Sequence, residues 1–146
     1  MTDLKSLKKR KSPLAESKRQ VSFLAKSIPG VDSFIQKLAT SKLKYLTPDK
    51  LEILQINLGY MCNMTCEHCH VDAGPDRKEI MSQTVLEACL LAIDKSTVNT
   101  VDLTGGAPEM NPHFIWFVEE LSKRNIRTIV RSNLTILVSN KKYKTF

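Results

Sequence analysis

The sequence predicts an α/β fold made of a βαβαβ unit, and three observations predict it. Apolar runs of strand length, rich in β-branched residues, recur at residues 51–58, 98–103 and 126–130. Both intervals between them carry apolar residues at helical spacing. Each strand-like run ends in glycine or in short polar residues rather than in a tight hairpin turn, so the strands are expected to be parallel, with right-handed crossovers.

The elements follow in order. Residues 1–50 read as a basic, flexible N-terminal arm that is partly helical, with a short helix over 31–43 placing Phe34, Ile35 and Leu38 on one side. Thr47-Pro48-Asp49 ends the arm, and the domain starts near Leu51. The first strand runs through Gly59 into a cysteine-rich loop, which Gly74-Pro75 breaks before the first crossover helix. Ser82 can cap that helix, which spans 83–95 with Val85, Leu86, Cys89 and Ile93 as its buried stripe. The second strand ends in Thr104-Gly105-Gly106-Ala107-Pro108, where two glycines let a ligand approach the backbone. Asn111 as N-cap and Pro112 in the first turn open the next helix, whose inner face is Phe114, Phe117, Val118 and Leu121. Lys123, Arg124 and Asn125 end it. After the third strand come Arg131-Ser132-Asn133, with no further helix expected, and residues 138–146 form a basic tail.

Composition limits the function classes. The net charge is +7, yet residues 1–50 hold 12 Lys and Arg against 4 Asp and Glu, and the remaining residues hold 10 against 11. The positive charge thus belongs to the arm, around Lys8-Lys9-Arg10-Lys11, and reads as a solvated terminus more readily than as an RNA-binding or nuclear-address run. No apolar stretch approaches the ~20 residues of a membrane span. The arm has no uninterrupted apolar segment of the kind a secretory signal needs, although a transit peptide stays open. The expected setting is a reducing cytoplasm, with neither a membrane nor a nucleic-acid partner.

Three of the four cysteines stand in Cys62-Asn63-Met64-Thr65-Cys66-Glu67-His68-Cys69. Three thiols on one short loop, spaced unevenly, suit a 4Fe-4S cubane with one iron left open. A closed zinc site normally takes four ligands, commonly as two separated pairs. Cys89 falls on an apolar helical stripe and reads as a small buried hydrophobe.

Together these residues resemble the radical S-adenosylmethionine (SAM) superfamily, whose cluster loop follows the first barrel strand and whose Gly-Gly-Glu-Pro segment follows the second. The longer strings 54–60, 69–75 and 105–109 look like one subgroup, the arsenosugar-biosynthesis radical SAM/Cys-rich-domain proteins. Ala107 replaces the superfamily's glutamate and agrees with that subgroup. The resemblance covers residues 51–137 and implies the N-terminal part of a radical SAM (β/α) barrel. Six such units would take roughly 200 residues by scaling from the larger (β/α) barrels, so a truncated form is expected.

The resemblance also implies roles. Cys62, Cys66 and Cys69 anchor the cluster, and SAM chelates the open iron. Gly105 and Gly106 offer carbonyls to the SAM ammonium, with Glu109 as a candidate carboxylate in place of the missing acid. His68 lies beside the adenine, mainly through its backbone, and Ser132 and Asn133 contact SAM or belong to an ordinary loop. Reductive cleavage gives a 5′-deoxyadenosyl radical, with a methylated arsenical as small-molecule substrate and a flavodoxin or ferredoxin as reductant. His70 stays open between loop hydrogen bonding and substrate contact, and Trp116 reads as half-exposed packing. Two other readings remain: a zinc module on Cys62, Cys66, Cys69 and His70 with the basic arm on nucleic acid, and an inactive fragment.

Overall fold

The computed structural model describes residues 5–67 and 69–139, with Leu14 in its backbone only. Two compact units result, residues 13–50 and the remainder, to which residues 5–12 belong.

The smaller unit carries α1 (Ser17–Leu24) and α2 (Phe34–Thr40). Ser33 caps α2 in a reciprocal box, its hydroxyl accepting from the Gln36 N–H while Gln36 Oε1 accepts from the Ser33 N–H. Neither helix buries a residue, and Phe23, Leu24, Phe34 and Ile35 are exposed.

The larger unit runs β1 (Ile53–Asn57), α3 (Gln83–Asp94), β2 (Thr100–Thr104), α4 (Phe114–Lys123), β3 (Arg127–Val130) and α5 (Thr135–Ser139). The three strands form a parallel sheet in the order β1-β2-β3, with Ile53 opposite Thr100 and Thr100 opposite Arg127. This is the expected βαβαβ order. Alternation along each strand gives the sheet two unlike faces. Ile56 and Leu58, with Val101 and Leu103, pack into one core with Leu86, Leu90 and Ile93 of α3 and Phe114, Phe117 and Leu121 of α4. On the other face Gln55 Nε2 donates to Asp102 at 2.9 Å, and the Arg131 guanidinium grips the same carboxylate at 2.8 to 3.0 Å.

Several local expectations are corrected. The α3 stripe is rotated from the predicted one: Leu90 is buried, Val85 is exposed and Cys89 sits at the margin of the core. Ser82 takes the N-cap position but makes no side-chain cap bond. Helix α4 begins at Phe114 with His113 at its N-cap, and Asn111 lies two residues earlier. Its Oδ1 accepts from the His113 N–H at 2.9 Å, and its Nδ2 donates to the carbonyls of Leu58 and Met81. A helix does follow β3, since Asn133 Oδ1 accepts from the N–H and hydroxyl of Thr135 and starts α5. Trp116 is half-buried against the core, with its ring centroid 6.2 Å from that of Phe117.

The expected arm is divided between the two units. Residues 5–12 dock on the larger unit, because the carboxylates of Asp72 and Asp76 take up the first backbone N–H groups of the segment. Among the described residues no helix is long and apolar enough to cross a membrane.

Candidate iron-sulfur site

The cysteine loop leaves the C-terminal end of β1 and closes on itself. Tyr60 N–H donates to the Glu79 carbonyl at 2.8 Å, Gly74 N–H to Tyr60, and Cys62 N–H to the Gly74 carbonyl at 3.2 Å. These bonds tie residues 59–62 to 74–80 and present the cysteines between two fixed ends. Cys62 is buried, Cys69 half-buried and Cys66 exposed, and all three are free thiols. Burial pushes the Cys62 thiol above its ordinary pKa, and the neighbouring Cys66 and Cys69 push the same way, against hydrogen bonds from the Met64 backbone and Asn133.

Two of the three sulfurs already receive N–H donors, as thiolate cluster ligands do. Ala73 N–H lies 3.3 Å from Cys69 Sγ, and Asn133 Nδ2 lies 3.5 Å from Cys62 Sγ. Asn133 also donates to Asn63 Oδ1 at 3.0 Å, and Asn63 donates to the Thr135 hydroxyl, so the β3–α5 turn is fastened to the cysteine loop. Thr65 Oγ1 is buried with no hydrogen-bond partner among the described residues.

The glycine turn after β2 is pressed onto the same loop. Gly106 N–H donates to the Gly59 carbonyl and Ala107 N–H to the Met61 carbonyl, both at 2.9 Å. Gly105 has φ +141°, and a Cβ on Gly106 would stand 2.3 Å from the Met61 carbonyl oxygen and 3.0 Å from Cys62 Cβ. Only glycine fits this approach.

The donor set and the N–H groups aimed at sulfur fit a cubane held by three thiolates. Among the described residues no three His, Cys, Asp or Glu side chains, Cys62, Cys66 and Cys69 included, are grouped so that they could hold a metal ion.

The remaining expected site residues divide. Asn133 reaches the cysteine loop, and Ser132 Oγ is used to accept from the Leu134 N–H at 3.0 Å. Glu109 is buried in the short turn Pro108–Met110. His68 lies outside the described residues, and His70 is exposed.

Sequence reasoning missed the residues that brace the loop. Asp72, at φ +51°, receives the N–H groups of Leu7 and Lys8 and an Arg77 amine. Arg77 is buried, stacks 4.6 Å from the Tyr60 ring centroid and pairs with Glu79. The Arg77 hydrogen bonds hold the Glu79 carboxyl down at about 2. Nothing periodic announces such long-range pairs; the one signal in the sequence is that Asp72 falls within residues 69–75, a stretch that carries the family resemblance.

The fold and site can be set beside known proteins. Residues 56–143 match the Radical SAM superfamily. Among curated proteins, a probable GTP 3′,8-cyclase of Saccharolobus islandicus (strain Y.N.15.51 / Yellowstone #2) is 27% identical over 94 residues, or 64% of this chain and 30% of that protein. A probable GTP 3′,8-cyclase of Sulfurisphaera tokodaii is 22% identical over the same shares, and one of Sulfolobus acidocaldarius is 28% identical over 55% of this chain and 26% of its own length. The chain therefore spans under a third of the length of these relatives. With the match extending over more than half of its residues, and the cysteine loop and glycine turn in contact, this chain belongs to the radical SAM superfamily.

Proposed function

We propose that Cys62, Cys66 and Cys69 hold a 4Fe-4S cluster with which this protein cleaves SAM, and that a methylated arsenical is the substrate. The observation that carries the reading is the contact of the Gly105-Gly106 turn with the Met61-Cys62 backbone, which brings the turn after β2 against the first cysteine. When bound, the cluster supplies one electron to the sulfonium of SAM, which separates into methionine and a 5′-deoxyadenosyl radical.

The chain's own residues bind and orient. The three thiolates anchor the cluster, and the Ala73 and Asn133 donors stabilise charge on two of them. Gly105 and Gly106 offer carbonyls to the SAM ammonium, while Glu109, Ser132 and the backbone at His68 are further SAM contacts in this reading. The arsenical rests on the subgroup strings and on Ala107, which stands where the superfamily has glutamate. The names of the relatives favour a second substrate, GTP.

The reconstituted protein is given SAM and dithionite, or reduced flavodoxin or ferredoxin, with a methylated arsenical in one arm and GTP in the other. Products are resolved by mass spectrometry. An arsenical carrying a 5′-deoxyadenosyl group supports the proposal, whereas GTP consumption with the arsenical untouched replaces it with the second reading.

A further inference from the structure

We propose that residues 5–12 are a positioning element of the cluster loop, a clasp that keeps the Ala73 N–H on the Cys69 sulfur. The inference rests on the iron-sulfur reading of Cys62, Cys66 and Cys69.

The clasp has two anchors on either side of the peptide units that serve the cysteines. Asp72 accepts from the N–H groups of Leu7 and Lys8, the latter at 2.9 Å. Asp76 accepts from the N–H and the hydroxyl of Ser6 at 2.9 and 2.7 Å. Ser6 has no exposed surface at all, and the segment is closed behind it by bonds from Arg10 N–H to the Ser6 carbonyl and from Ser12 N–H to Leu7. Between the anchors lie Ala73, whose N–H points at Cys69 Sγ, and Gly74, whose carbonyl accepts from the Cys62 N–H. Arg77 holds the same stretch from below through the Asp72 carbonyl at 2.7 Å.

Asp72 sits in left-handed backbone, a conformation that carries a cost and persists where its surroundings enforce it. The docked segment supplies that enforcement. Hydrogen bonds to cluster sulfurs favour the reduced, more negative state and so raise the reduction potential. Releasing the segment should therefore loosen residues 72–74, make the potential more negative and speed loss of iron.

The test uses the reconstituted chain with residues 1–12 deleted, the variant Asp72→Ala, and a charge control with Lys9→Gln, Arg10→Gln and Lys11→Gln together. Potential is read by spectroelectrochemistry and iron release by chelator challenge, with circular dichroism as the check on folding. Deletion and Asp72→Ala should each shift the potential negative and raise the iron-release rate severalfold. Combined, they should add nothing further, and a synthetic 1–12 peptide should restore the deleted chain. The charge control should match the parent. A cluster indifferent to both the deletion and Asp72→Ala overturns the clasp, as does a charge control that reproduces the shift. A parent chain that takes up no iron and sulfide contradicts the cluster reading itself, a result distinct from failure of the clasp.

Discussion

Asn133 reaches across 71 positions of sequence to bring its side-chain amide within 3.5 Å of Cys62 Sγ. The turn after the third strand is thereby fixed to the loop after the first. The same side chain starts α5 with its carbonyl oxygen, so its amide orientation is set by both ends.

This relationship predicts an order among substitutions. Asn133→Ala removes one donor to sulfur and should moderately weaken iron retention. Asn133→Asp keeps the helix-starting oxygen but sets a carboxylate against thiolate charge, and should weaken retention more than alanine does. Chelator challenge of the two reconstituted variants gives the ranking; the reverse order would show that the cap, rather than the contact with sulfur, is what matters.

The glycine turn yields a second prediction. A Cβ at position 106 meets the Met61 carbonyl oxygen at 2.3 Å, and both partners are backbone, so neither can swing aside. Gly106→Ala should cost about 1–3 kcal/mol of stability and abolish the SAM-induced change in the electron paramagnetic resonance spectrum of the reduced cluster. Denaturant unfolding and the spectrum with and without SAM measure the two effects.

Asp102 gives a third. Its carboxylate is buried on β2, and the Arg131 hydrogen bonds hold it below the ordinary carboxylate range despite the cost of burial, with Gln55 helping. Arg131→Ala leaves the acid with Gln55 alone and should lower stability. Adding Asp102→Asn should recover much of that loss. A depressed folded pKa stabilises above the ordinary value of 3.8 and ceases to as pH falls through the lower folded one. The gap between parent and Arg131→Ala should therefore be full near neutrality and shrink in acid below that value, as measured by urea unfolding of the metal-free chain.

The sheet and its helices were legible because periodicity reports burial: Ile56, Leu103, Phe117 and Leu121 each mark a face that must be covered. The cysteines and the two glycines were legible because their chemistry needs no distant partner to be recognised. The clasp was not. Lys8-Lys9-Arg10-Lys11 reads as solvated charge, while the attachment runs through backbone N–H groups of Leu7 and Lys8 to an aspartate more than sixty residues away, a contact with no local sequence pattern. Helix α5 was missed for a related reason, since five residues leave too short a window for a period and its start depends on one asparagine side chain. The shift of the α3 stripe from Val85 to Leu90 shows the same limit. Helical spacing gives a face to within one position, and packing against Phe114 and Phe117 chooses it.

Metal analysis after anaerobic reconstitution tests the central claim most directly. The account predicts about four iron and four sulfide per chain, lost in each of Cys62→Ala, Cys66→Ala and Cys69→Ala. Cys89→Ala should keep its iron, because that thiol packs on α3 at the edge of the core. Stoichiometric zinc without sulfide, or loss of iron in Cys89→Ala, would contradict it.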